Sequence, residues 1–303
     1  MVIPATVSVV IPCYKQAHFL GEAIESVLAQ SHPASRIIVV DDGSPDAVAP
    51  VVGRYPTVQL IRQENRGVSI ARNAGLAQCD SDLIWFLDAD DRLLPHAFEA
   101  AARALVDRPD AAFAWGFNRL IDAHGVIIPC TLRSPIEVTY EELLKWNAVG
   151  PPVDVAFRRS MVAEAGGFDP AVYPCEDYDL YLRLAHRHPT VCLAQVIAEY
   201  RQHGANLSAN HHFMLEGALK SLLNQEPLVA GNPRLVRLLR SAVEKAHVYY
   251  DGVRRVDALR EAVNNGHLFS AVRGIGALAL RHPGVFWRIV RARTNRLSAR
   301  LRG

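Results

Sequence analysis

Leu83-Ile84-Trp85-Phe86-Leu87-Asp88-Ala89-Asp90-Asp91 decides how the chain is read. A bounded run of five apolar residues has the length of a buried strand, and three carboxylates follow where that run ends. A strand inside a sheet has a fixed backbone, so acids at its end stay close to one another. Clustered carboxylates of this kind suit a hard divalent cation, Mg²⁺ or Mn²⁺. Such ions take one or two protein carboxylates and fill the remaining positions with water and substrate phosphates. The alternative is that Asp90 or Asp91 caps a helix beginning near Leu94 and Pro95 while the other acids are solvated.

Upstream of that stretch, short β-branched runs alternate with segments of helical period. Val7 to Ile11, Arg36 to Val40 and Val58 to Ile61 read as strands; Ala17 to Gln30 and Val68 to Ala77 read as helices. The alternation predicts an α/β fold with a mostly parallel sheet and helices on both faces. Ligands of such sheets bind beyond the carboxyl ends of the strands, so the loops after Ile11, Val40, Ile61 and Leu87 should meet. Downstream, residues 111–128 suggest a strand and a hairpin around His124-Gly125, which makes the sheet mixed. A helix is expected over Glu176 to His186 and a strand over Val191 to Tyr200. Beyond His211 the pattern is helix after helix, and a domain boundary is placed near residue 210, giving units 1–210 and 211–303.

The 303 residues carry a formal net charge of +2, too small to argue for nucleic acid. Five scattered cysteines (Cys13, Cys79, Cys130, Cys175, Cys192) show no metal-ligand spacing and no disulfide framework. A reducing cytoplasm is expected, with neither export nor a membrane span. Residues 283–302 place Arg288, Arg291, Arg293, Arg296, Arg300 and Arg302 among Phe286, Trp287, Ile289, Val290, Leu297 and Leu301. Two readings stand for this segment: a basic interfacial helix giving peripheral contact at the inner face of a membrane, or a helix packed on the main domain. Nucleic acid is not expected, because no aromatic base-stacking platform accompanies the arginines.

Asp41-Asp42-Gly43-Ser44 also follows a strand; one acid could accept from a nucleotide base or ribose, or the group is a turn before Pro45. In Asn65-Arg66-Gly67, continued by Ala71-Arg72-Asn73-Ala74-Gly75, Arg66 or Arg72 could pair with phosphate oxygens through the planar guanidinium. Alternatively, Gly67 is an N-cap and Arg72 anchors its helix to a neighbouring acid. Glu176-Asp177-Tyr178-Asp179 opens a helix whose dipole favours acids there. In a crevice holding a metal, Asp177 gains a second use as a proton acceptor. His203 lies in a polar loop and is acceptable to Mn²⁺ alongside Asp90.

Taken in order, Val7-Ser8-Val9-Val10-Ile11-Pro12-Cys13-Tyr14, Val39 to Ser44, Asn65 to Gly75 and Asp88 to Asp91 closely resemble family 2 glycosyltransferases. Gly166-Gly167-Phe168-Asp169, Glu176-Asp177 and Arg201 to Ser208 continue the resemblance over about residues 5–210. It implies a GT-A fold, a nucleotide-sugar donor expected to be UDP-linked, a Mn²⁺ or Mg²⁺ ion, and inversion at the anomeric carbon. By the resemblance, Pro12, Tyr14, Asp41, Asp42, Arg66, Arg72, Asp88 and Ala89 lie on the donor side, with Asp42 nearest the base. Asp90 contacts the metal and His203 reaches the metal or the diphosphate. Asp177 is the catalytic base, with Glu176 on the acceptor side. The Q-x-x-R-W signature of processive synthases is absent, which favours addition of a single sugar to a glycan or lipid-linked acceptor, as in cell-surface glycan synthesis. Two alternatives remain: transfer to a polyprenyl phosphate, which needs no base, and a non-catalytic nucleotide-sugar-binding protein.

Overall fold

The computed structural model describes residues 5–130, 138–204 and 206–265. β1 (Val7–Cys13) is buried at every position and β2 (Arg36–Asp42) at every position after the first. With β3 (Val58–Gln63) and β4 (Leu83–Phe86) they pair in parallel in the order β3-β2-β1-β4, Val10 lying opposite Ile38 and Val9 opposite Trp85. Near-continuous apolar runs are what parallel strands need, because connecting helices cover both faces. The connections here are α1 (Ala17–Leu28), α2 (Val48–Val52) and α3 (Val68–Leu76).

The chain then crosses to the other half of the sheet. β5 (Arg92–Leu93), α4 (Ala97–Asp107), β6 (Phe113–Ile121) and β7 (Ile127–Ile128) come first. They are followed by α5 (Tyr140–Lys145), β8 (Val155–Arg158), α6 (Arg159–Glu164), α7 (Glu176–Ala185) and β9 (Thr190–Arg201). The order continues β4-β8-β6-β9-β5: β8 is antiparallel to β4 and β6, β9 is parallel to β6, and β7 forms the hairpin on β6. The sheet is therefore mixed, as the hairpin residues predict. Helix α4 begins at Ala97 after an intervening strand, so neither Asp90 nor Asp91 caps it.

Strand side chains alternate between faces, and the core divides accordingly. Val9, Ile11 and Trp85 pack with Leu20, Ile24 and Phe98 on one side. On the other, Val10, Ile38, Phe86 and Phe157 pack with Tyr181. The C-terminal helices α8 (His211–Leu223), α9 (Glu226–Val229) and α10 (Pro233–Asn264) join this second cluster through Ala218, Leu222, Val229, Leu239 and Ala242. Among the described residues no helix is long and apolar enough to cross a membrane. The basic stretch 283–302 lies outside the described residues.

Candidate active site

One cavity of about 1370 Å³ opens at the carboxyl ends of the parallel strands. Pro12 and Tyr14 reach it from the end of β1, Asp42 from β2, Asn65 and Gly67 from the turn after β3, and Asp88 and Asp90 from the turn after β4. The first turn of α7 contributes Glu176 and Asp177. Residues scattered over 165 positions thus share one space because parallel strands end on the same side of a sheet.

Arg72 is the hub of this cluster. It is 3% exposed, and its Nη2 and Nη1 each donate at 2.6 Å, to Asp88 Oδ1 and Glu176 Oε1 respectively. The face of Phe168 lies 5.2 Å from the guanidinium carbon. Both terminal nitrogens are engaged by protein carboxylates, so the phosphate-pairing expectation for Arg72 is replaced by that of an internal anchor. Glu176 lines the cavity, but one of its oxygens is held by Arg72 and the other is buried without a hydrogen-bond partner. Its carboxylate organises the site and is not presented to an acceptor.

The turn after β4 is held from behind. Asp90 Oδ2 accepts from Gln16 Nε2 at 2.8 Å and lies 2.9 Å from His203 Nε2. The His203 ring stacks on Phe19, with centroids 5.3 Å apart. Asp91 is wholly buried and accepts from the Arg201 amide at 2.8 Å. Arg201, 0% exposed, donates its Nε to the Asp90 carbonyl at 2.7 Å and its Nη2 to Glu22 at 2.6 Å. Gln16 and Arg201 escaped sequence reasoning as support for these acids. A basic residue directly after the strand expected over Val191 to Tyr200 was the available signal for Arg201; Gln16 left none.

Burial and the neighbouring Asp88 raise the Asp90 pKa above the ordinary carboxylate range, with the His203 hydrogen bond opposing. Asp91 is raised further, by burial and then by Asp90 and Asp88. This is the electrostatic condition a cation would relieve. Among the described residues no group of three or more His, Cys, Asp or Glu forms a ready metal cage. A magnesium-type ion needs no such cage, and Asp88 and Asp90, carboxylates on one turn of the cavity wall, fit it. Asp177 is pushed up to about 7, first by burial and second by Glu176, while Arg72 and the Tyr178 amide, 2.7 Å away, pull it down. A carboxyl poised there can take a proton from a hydroxyl near neutral pH.

Three other expectations are corrected. β2 runs on through Asp41-Asp42, so consecutive side chains face opposite ways: Asp42 lines the cavity, and Asp41 does not. Asp41 Oδ1 instead accepts from the Ser44 amide at 2.8 Å, and Arg62 lies 3.4 Å away. Asp42 accepts from Gln63 Nε2 at 2.7 Å and from the amides of Arg66 and Gly67 at 3.0 and 2.9 Å. It thereby fixes the turn in which Gly67, the N-cap of α3, adopts φ +90°. Arg66 contributes its amide to that arrangement, and its exposed side chain does not line the cavity. Ala89 is fully buried in the apolar cluster beneath the turn, where it separates Asp88 from Asp90.

A mixed sheet of this order with acids converging at its parallel end defines a GT-A glycosyltransferase. The family model described as glycosyl transferase family 2 matches residues 8–160, and the chain belongs to that family. It is 27% identical over 210 residues to the putative teichuronic acid biosynthesis glycosyltransferase TuaG of Bacillus subtilis, covering 67% of this chain and 82% of the relative. The fold is similar to that of S. aureus TarS 1-349 in complex with UDP-GlcNAc, with TM-score 0.66 and 14% identity over 91% of this chain and 81% of TarS. It is also similar to the mannosyltransferase PcManGT of Pyrobaculum calidifontis in complex with GDP-Man and Mn²⁺, with TM-score 0.59 and 20% identity over 95% and 84% of the two chains.

Proposed function

We propose that the protein moves one sugar from a nucleotide-diphosphate sugar, UDP-linked by preference, to the hydroxyl of a glycan or lipid-linked acceptor in cell-surface glycan synthesis, inverting the anomeric centre. The carrying observation is the convergence of Asp88, Asp90 and Asp177 on one cavity, where burial pushes the Asp177 carboxyl up to about 7. TuaG's printed role in teichuronic acid biosynthesis, and neighbours solved with UDP-GlcNAc or with GDP-Man and Mn²⁺, support the reading.

In this reading Pro12, Tyr14 and Asp42 flank the nucleoside, and Asp177 receives the acceptor's proton. Asp90 holds Mn²⁺ or Mg²⁺ with Asp88 beside it; His203, expected at the metal, does not line the cavity and instead orients Asp90 together with Gln16. The ion supplies positive charge beside the leaving diphosphate, where stabilisation counts only to the extent that it grows toward the transition state. Arg72 keeps Asp88 and Glu176 in register across the cavity.

The test is a thermal-shift panel of UDP, GDP and dTDP sugars with and without Mn²⁺. Selective binding stabilises the folded state by mass action. One nucleotide raising the melting temperature more than the others, and more with Mn²⁺, is expected, together with consumption of the matching sugar nucleotide. No shift with any of them would overturn the proposal.

A further inference from the structure

We infer that the cavity continues beyond the acids into a subsite for an anionic saccharide acceptor, with Trp146 and Tyr249 offering ring faces to the sugar and Lys145 and Lys245 meeting its negative group. The inference rests on the proposed transferase reading and adds the acceptor's chemical class to it.

The wall in question is built by α5 and α10. Lys145 and Trp146 close α5, and Ala242, Lys245, Ala246 and Tyr249 of α10 all line the cavity. Their i, i+3, i+4, i+7 spacing puts them on one helix face. Near the N-terminal end of that stripe Ala242 is buried against the core, whereas Tyr249 is 47% exposed. Trp146, at the end of the neighbouring α5 and lining the same cavity, is 50% exposed. Large rings left in water on the walls of a concave site are suited to the C–H faces of a pyranose, which a core does not need and a sugar can cover.

The charge is as specific as the rings. The chain holds only four lysines, Lys15, Lys145, Lys220 and Lys245, although arginine is abundant. Two of the four line this cavity. Lys145 also pairs with Glu142 one turn away on an exposed face, a contact that leaves ammonium protons for a ligand. Lysine is an adaptable point charge and does not demand the bidentate geometry of arginine. Asp177, a carboxyl on the wall of the same cavity, repels an anion when ionised. An acceptor carrying one negative group is therefore turned with its charge toward the lysines and a neutral hydroxyl toward Asp177.

The negative group is a carboxylate or a phosphate, and the experiment separates them. Three trisaccharides of one backbone, neutral, uronate-bearing and phosphorylated, are titrated into the full chain and followed by ligand-observed NMR. At least one charged member should bind about tenfold or more tightly than the neutral one. Lys245→Gln and Lys145→Gln should each reduce that preference, Lys245→Arg should retain it, and Trp146→Ala should weaken all three ligands by a common factor. Equal binding of neutral and charged members, no binding of any, or a preference untouched by both glutamine variants would overturn the inference. UDP titrated into the same protein reports the donor site separately, so failure of the transferase reading and failure of the acceptor class give different results.

Discussion

Arg72 and Glu176, 104 positions apart in the chain, meet at 2.6 Å in the interior. The same guanidinium holds Asp88 at 2.6 Å, so a single side chain sets the spacing between the turn after β4 and the first turn of α7. Removing one partner of a buried ion pair leaves its counter-charges uncompensated, at a cost of about 3–5 kcal/mol. Arg72→Met should destabilise the protein by that order in urea titration and abolish transfer. Glu176→Gln, which keeps the shape and a hydrogen-bonding group, should cost less.

Asp177→Asn tests the base. Transfer should fall by about 10²- to 10⁴-fold with nucleotide binding retained. In the wild type the rate should climb about tenfold per pH unit on the acid side and level off above the Asp177 value of about 7. An unchanged profile in the variant would remove Asp177 from the chemistry.

The same residue predicts a pH-dependent stability. Its folded value of about 7 lies above the 3.8 of a free Asp, so the folded state holds a proton that the unfolded chain has already lost between those pH values. Stability is thus fully present below about pH 4 and declines as pH rises to 7, then stays flat. Ligand-free Asp177→Asn should therefore gain on the wild type at pH 8 and not at pH 4. Melting temperatures at the two pH values check the sign.

The proposed metal dependence is tested at Asp90. Asp90→Asn, or chelation of divalent ions, should remove most of the nucleotide-diphosphate thermal shift. Gln16→Ala leaves the carboxylate but frees its orientation, and loss of such a supporting contact lowers metal affinity by about 10- to 100-fold. Mn²⁺ titration followed by electron paramagnetic resonance measures both.

Gly75 tests the packing of α3 on the sheet. A Cβ there would overlap Val10 Cγ1. Gly75→Ala should cost about 1–3 kcal/mol by overpacking. Combining it with Val10→Ala should cost less than the sum of the two single changes, because they share one space.

The parallel half of the sheet and the acids at its end were legible because each signal is local: an apolar run sets the strand and the next residues set the turn. The facing of Asp41 and Asp42 was legible too, had β2 been extended through them and the two-residue alternation applied. For Arg72 the sequence left two readings open, because an arginine near a crevice looks the same whether its nitrogens meet phosphate or carboxylates; its burial and its two acidic partners favour the anchor. The α10 wall could not be read, since its stripe of Ala242, Lys245, Ala246 and Tyr249 becomes a cavity lining only when the helix docks beside α5 and α8.

Asp90 is joined to His203, 113 positions later, and the Asp91 carboxylate to the Arg201 amide, 110 positions later. A ribosome adding about 5–20 residues per second needs roughly 6 to 23 s to travel from one member of the first pair to the other. Throughout that interval the nascent chain carries its acidic turn without the strand that secures it. The acidic turn is accordingly completed only once β9 and the loop after it have been made, and a chain cut short before His203 yields a sheet whose turn lacks its support.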